Sequence, residues 1–252
     1  MSNHRLSSEQ ARKEKLLAIE IGEYAANIIE NDKSKVGILL CEGLENSIDV
    51  ALYSAYYEHF VVIPYNGCSD IKRMVPRVRK YSEYPTFGII DRDERSKRRI
   101  KELAKMGIYA TKLPFIENII CCPEVLKIVT PQKGLNYSEV IAKVRTSLTA
   151  ILAERLMQLN PFDVDIPEGQ EILYVNITIA TKEKTVSKRI DLNNVMYTFR
   201  SKVIVSEVAN ALGINGREHY YEFIKEQINS ELKHKLMVVM GRYLPEIKVE
   251  EN

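Results

Sequence analysis

Several features that would narrow the function of a chain are missing from this one. No apolar run approaches the roughly 20 residues that a membrane-spanning helix needs. The opening residues, Met1 to Arg5, lead into a charged helical pattern rather than an apolar signal segment. A cytoplasmic protein without a membrane partner is therefore expected. The cysteines Cys41, Cys68, Cys121 and Cys122 form no Cys-x-x-Cys pair, and Cys41 and Cys121 sit inside apolar segments, so buried, reduced thiols are expected. His4, His59, His219 and His234 lie far apart without ligand spacing, which leaves no zinc site. There is no Gly-x-x-x-x-Gly-Lys-Ser/Thr phosphate loop, so any ATP hydrolysis would belong to a partner. A formal charge of +2 supplies no global field for nucleic acid, and any such surface must come from local clustering. Internal repeats and low-complexity stretches are absent as well.

What remains is an ordinary globular composition, 45% hydrophobic and 28% charged over 252 residues, enough for one large domain or two smaller ones. Ser7 or Ser8 can cap a first helix that runs to about Asn31. A regular alternation follows. Strands are expected at 36–41, 60–64, 86–90 and 108–113, with helices over 45–58, from a Ser69 or Asp70 cap to Tyr81, and over 95–106 before the stop at Gly107. Near-continuous apolar strands separated by helices imply right-handed crossovers and a parallel, Rossmann-like sheet covered on both faces. Beyond Cys122 the pattern changes to a helix over 137–159 broken at Asn160-Pro161-Phe162, strands at 171–180 and 185–192 flanking 181–184, and helices over 202–212 and 218–240. The expected organisation is an N-terminal helix (1–34), a four-stranded, mainly parallel α/β domain (35–130) and a C-terminal α+β domain (131–252).

The most informative residues are acids at strand ends. The first strand runs directly into Glu42-Gly43, and the third into Asp91-Arg92-Asp93. In a parallel sheet the carboxyl ends of neighbouring strands open into one crevice, where ligands bind. If these two strands are neighbours, Glu42, Asp91 and Asp93 share it as an oxygen-only cluster suited to Mg²⁺ or Mn²⁺. Glu117, placed at the end of the fourth strand, is a weaker candidate for the same crevice. A divalent ion beside an acid is what phosphodiester chemistry requires.

These marks, Cys41-Glu42-Gly43, the Asn66-Gly67 turn, Asp91-Arg92-Asp93 and Ile116-Glu117-Asn118, resemble the Toprim domain over roughly residues 35 to 125. More narrowly they resemble Toprim proteins that accompany ATPases of the OLD type, among them the effectors of PARIS-type anti-phage systems. The resemblance implies a metal-dependent nuclease acting in abortive infection, with Glu42, Asp91 and Asp93 as catalytic and metal-binding residues. It further implies DNA or RNA (tRNA included) as substrate and an ABC-type, OLD-like ATPase as partner; a homodimer is expected on the separate ground that one small active site serves two strands, or a folded RNA, as a pair. It also draws attention to Phe199-Arg200-Ser201-Lys202, similar to a lysine-bearing turn after the nuclease fold, whose Lys202 would reach the scissile phosphate. Two positions depart from the pattern. The acid expected four residues after the first Glu is Asn46, with Glu45 beside it as a substitute ligand, and the lysine expected after the second strand is Cys68, with Lys72 a turn further on.

Other signals stand open between two readings. The basic run Arg95 to Lys101, with Arg73, Arg77, Arg79 and Lys80 on the preceding helix, either meets phosphates or forms a solvated face balanced by Glu94 and Glu102. Residues 206–218 have helix-turn-helix spacing, but the following acidic, aromatic helix favours a hairpin that packs Val208, Leu212 and Ile214. A topoisomerase would need a large gate, for which the chain leaves little room, and a primase a polymerase domain that is not visible. The serious rival to a nuclease is a non-catalytic Toprim fold used as a docking module for an ATPase or a phage protein.

Overall fold

The computed structural model describes residues 8–93, 95–154, 174–180, 185–191, 196–197 and 201–249. Ser7, Glu94, the helix end at 155–159, the Asn160-Pro161-Phe162 break, the strand ends at 171–173 and 192, the 181–184 turn and Phe199-Arg200 lie outside the described residues. Contacts divide the chain into two compact units, the first comprising Met1–Ile90, Arg95–Ala110 and Pro245–Asn252, the second Asp91–Glu94 and Thr111–Leu244.

The first unit is α/β. Its elements are α1 (Ser8–Asn31), β1 (Gly37–Cys41), α2 (Ile48–Tyr56), β2 (Phe60–Pro64), α3 (Cys68–Tyr81), β3 (Thr86–Ile90), α4 (Lys97–Lys105) and β4 (Ile108–Ala110). The four strands form one sheet in the order β2-β1-β3-β4, and every pair is parallel. The chain moves one way from β1 to β2, then crosses back past β1 to reach β3. The helix changes face with that reversal. Ile38, Leu40, Val61 and Ile108 pack in one core cluster with residues of α1, α3 and α4, whereas α2 belongs to the other side. A constant right-handed crossover demands this pairing of reversed direction with changed face.

Local chemistry explains the element ends. Ser47 caps α2 by accepting from the Val50 amide, and Ser96 caps α4 by accepting from the Arg99 amide. The expected side-chain cap of α3 at Ser69 or Asp70 is not formed. The helix starts earlier, at Cys68 with Gly67 as its uncapped N-cap, and Asp70 pairs with Arg73 instead. Gly88 lets α3 close on the sheet, since a Cβ there would stand 2.6 Å from Ile71 and 2.9 Å from Val75. Leu39, Leu40 and Ile89 at the sheet centre are fully buried, each worth about 1.5–3 kcal/mol of transfer free energy.

The second unit is mainly helical: α5 (Ile116–Ile120), α6 (Pro123–Val129), a 3-10 turn (Thr130–Lys133), α7 (Tyr137–Glu154), the antiparallel hairpin β5 (Tyr174–Ala180) and β6 (Thr185–Asp191), α8 (Ser201–Ala211), α9 (Arg217–Ile228), α10 (Lys233–Met240) and a 3-10 turn (Gly241–Tyr243). The helix expected over 218–240 is two helices. Ser230 breaks it by donating to the Gln227 carbonyl at 2.8 Å and accepting from the Leu232 amide at 3.1 Å, the local bonding by which serine competes with a helix. Val208, Leu212 and Ile214 are buried, as the hairpin reading requires. Polar ties lock the interior. Glu124 accepts from the hydroxyls of Tyr197 at 2.8 Å and Tyr243 at 2.9 Å, and Tyr220 donates to the Ile120 carbonyl at 2.7 Å. Among the described residues no helix is long and apolar enough to cross a membrane.

Candidate functional site

In a sheet of order β2-β1-β3-β4 the direction of winding reverses between β1 and β3, and the carboxyl ends on either side of such a switch point are where open α/β sheets bind ligands. Cys41 of β1 stands opposite Ile89 of β3. Glu42 is therefore level with Ile90, and Asp91 follows one residue later.

The backbone turns sharply at each exit. Gly43 after β1 has φ +106°, and a Cβ there would stand 2.5 Å from the Ser47 hydroxyl, so only glycine fits. Asn66 after β2 (φ 32°) and Asp93 after β3 (φ 47°) are the non-glycine residues with positive φ among those described. Asn and Asp tolerate this region best, and residues held in it cluster at functional sites. The exits of β1 and β2 are tied together, the Tyr65 amide donating to the Cys41 carbonyl at 2.7 Å and the Gly43 amide to the Asn66 carbonyl at 3.3 Å.

Arg92, between the two aspartates, turns inward. It is buried, its amide donates to Thr111 Oγ1 at 3.1 Å and its Nη1 to the Lys112 carbonyl at 2.9 Å. Thr111 in turn donates to the Leu113 carbonyl at 2.8 Å, and the fourth strand, expected to reach 113, ends at Ala110. Asp91 Oδ1 accepts from the Ile116 amide at 3.2 Å at the start of α5, and the Asp93 amide donates to the Pro114 carbonyl at 2.9 Å. Sequence reading misses the strap role of Arg92 and Thr111, because an arginine between two acids reads as solvated charge.

Glu42 is half-buried, whereas Glu45 and Asn46 are exposed in the loop before α2 beside Leu44, which is 78% exposed. Asp49, in the first turn of α2, is a further acid that sequence reading passes over. It lies 3.7 Å from where a Gly43 Cβ would sit. Burial, then the charges of Asp49 and Glu42, push the Cys41 thiol well up, so Cys41 is an inert, neutral core group. Cys68 accepts from Arg95 Nη2 at 3.0 Å. Much of the basic run is engaged at home. Arg77 pairs with Glu14 at 2.6 Å, Arg98 and Arg99 with Glu102 at 3.2 and 2.9 Å, and Arg79 donates to the Thr86 and Met106 carbonyls.

Glu117 is not at a strand end. It lies in the first turn of α5, half-buried, and accepts from the Tyr221 hydroxyl at 3.4 Å. Burial raises its carboxyl above the ordinary range, opposed in part by Tyr221 and by the Lys202 and Arg217 charges. Lys202 is exposed at the start of α8. Arg217 and Tyr221 had no sequence signal beyond membership of an acidic, aromatic helix.

Glu42, Asp91 and Asp93 offer only oxygen, the donors a hard cation takes. One Asp91 oxygen is engaged by the α5 amide, and among the described residues no three His, Cys, Asp or Glu side chains gather into a ready-made metal site. Compared with known proteins, the chain matches no family model, no curated protein and no solved structure.

Proposed function

We propose that this chain is a Toprim-type nuclease with a C-terminal α+β domain, a divalent-metal-dependent phosphodiester hydrolase serving as an anti-phage effector. One observation carries the reading: β1 and β3 are parallel neighbours at the switch point of the sheet, and an acid stands immediately beyond each. Glu42, Asp91 and Asp93 are the residues that would hold Mg²⁺ or Mn²⁺, with Glu45 and Asn46 as further ligands, and the cation's charge would have to draw the carboxylates in. When bound, such an ion lowers the pKa of water and offsets charge gathering on the phosphate. Glu42 takes the proton of the attacking water as the oxygen–phosphorus bond forms, the ester bond on the far side of phosphorus breaks, and the leaving oxygen collects a proton. Lys202 meets a phosphate oxygen. The resemblance of the sequence points to nucleic acid, RNA (tRNA included) or DNA, as substrate and to restraint by an OLD-like ABC-type ATPase, and a single small active site favours action as a homodimer.

The test is cleavage. Purified chain incubated with bulk tRNA or plasmid DNA in Mg²⁺ or Mn²⁺ is expected to cut one of them, to stop in EDTA, and to stop with Glu42→Gln. Intact substrates in every metal, with and without the ATPase, would end the hydrolase reading. A docking module is the second reading, favoured by Asn46 in place of the expected acid and by exposed Leu44 two residues from Glu42, and no ready acid cluster stands among the described residues. It predicts the opposite sensitivity: Leu44→Asp abolishes the biological effect and Glu42→Gln leaves it intact.

A further inference from the structure

A second cleft opens at the end of the sheet opposite Glu42, walled by the end of α3, the first residues of β3 and the α4–β4 turn, all within the first unit. Its volume is about 660 Å³, inside the roughly 300–1,000 Å³ of small-molecule sites. Arg79 is fixed in its wall. Nε donates to the Thr86 carbonyl at 2.7 Å and Nη1 to the Met106 carbonyl at 3.0 Å, and the guanidinium carbon lies 5.5 Å from the centre of the Phe87 ring. Any Cβ at Gly107 would collide with the guanidinium. Among the described residues Nη2 has no hydrogen-bond partner, and no carboxylate pairs with Arg79. Partial burial lowers its pKa below the ordinary arginine value, as expected of a cation whose desolvation no acid offsets.

The remaining lining narrows the ligand. Lys105 and Lys248 are exposed cations and Glu83 an exposed acid, and Lys248 also pairs with Glu246 at 3.3 Å across solvated surface. Against these two acids the three cations leave one positive charge over, and the immobilised guanidinium is the anchor because solvated pairs are worth little. Ordinary ligand pockets are mainly apolar. This one is lined mainly by charged and hydroxyl groups, with the rings of Tyr84, Phe87 and Tyr109 among them. We infer that the cleft binds a mononucleotide, Arg79 taking the phosphate through Nη2, Lys105 adding charge at the rim and the tyrosine rings meeting the base. A bare anion would leave most of the volume unfilled, and an apolar ligand would leave the guanidinium unanswered. A phosphate, a sugar and a flat base supply charge, hydroxyls and a π-face in one molecule. The inference does not rest on the nuclease reading, whose acids stand at the other end of the sheet.

The test is isothermal titration calorimetry of the full chain in EDTA with adenosine 5′-monophosphate (AMP), adenosine, inorganic phosphate and a single-stranded RNA decamer. AMP is expected to fill one site with a dissociation constant of about 10 μM to 1 mM, and adenosine and phosphate to bind at least about tenfold more weakly. Arg79→Gln should weaken AMP about tenfold, with Arg79→Lys in between, because lysine keeps the charge and loses the planar fork. Lys105→Gln should weaken it about twofold and flatten its salt dependence. No saturable AMP binding, or binding unchanged in a folded Arg79→Gln, overturns the site. Should Arg79→Gln lose its circular dichroism, exposed Lys105→Gln decides, and an unchanged isotherm and salt dependence there overturn the site equally. Binding that Glu42→Gln removes and Arg79→Gln spares places the nucleotide at the acids and overturns it too. So does RNA held through Arg79 by a chain indifferent to AMP, since the cleft then takes a strand.

Discussion

Charge is handled in opposite ways at the strand ends and around Glu117. Beyond β1 and β3 stand acids carried by turns whose backbone is fixed by strand register and by positive φ at Gly43 and Asp93. Around Glu117 a half-buried acid accepts from the hydroxyl of Tyr221, brought to it by helix packing. The first arrangement leaves oxygen donors on turns, and the second holds a carboxyl above its ordinary range by burial. The comparison teaches that turn geometry and helix packing set the surroundings of an acid by unrelated means.

The sharpest way to break that comparison is to remove an acid from each. Glu42→Gln is expected to lower cleavage by about 10²–10⁴-fold with an unchanged melting temperature, whereas Glu117→Gln keeps cleavage within about tenfold; initial rates on tRNA decide it. If both lose activity alike, the two regions are not distinct in role. Next in size are the supports. Leu40→Ala beneath the strand ends should cost about 2–5 kcal/mol in urea unfolding, against about 1–3 kcal/mol for Tyr243→Phe, which takes one hydroxyl from Glu124. A further pair concerns the Ile116 amide at the start of α5: Asp91→Ala should lose about 1 kcal/mol relative to Asp91→Asn, whose amide oxygen still accepts from it. The smallest effect is a pH dependence. Burial raises the Glu117 carboxyl, so the folded chain holds that proton more tightly than the unfolded one. Its contribution to stability is present below the ordinary carboxylate range and is lost as pH rises through the raised folded value. Glu117→Gln should therefore melt roughly 2–4 °C higher than wild type at pH 8 and no higher at pH 4.

The same contrast explains what could be read from residue order. Strands buried on both faces are continuous apolar runs, and 36–41, 60–64 and 86–90 run within two residues into Gly43, Asn66 and Asp91, so the mainly parallel sheet and the acids beyond it were legible. The positions of α5 and α6 were not. At five and seven residues they are too short to show a helical period, and Pro114-Phe115 made Glu117 look like a strand exit. Asp49 was hidden for another reason, since an acid in a helix first turn usually answers the macrodipole. Arg217 and Tyr221 acquire meaning only through Glu117, 100 and 104 residues earlier in the chain, a pairing that no local pattern announces.

The bond from the Ile116 amide to Asp91 gives this protein a reporter that needs no label. Whatever draws electron density from that carboxylate weakens its hold on one backbone proton. A titration with Mg²⁺ followed by nitrogen–proton correlation spectroscopy should move the Ile116 resonance early, and a signal that stays in place would mean the ion settles elsewhere.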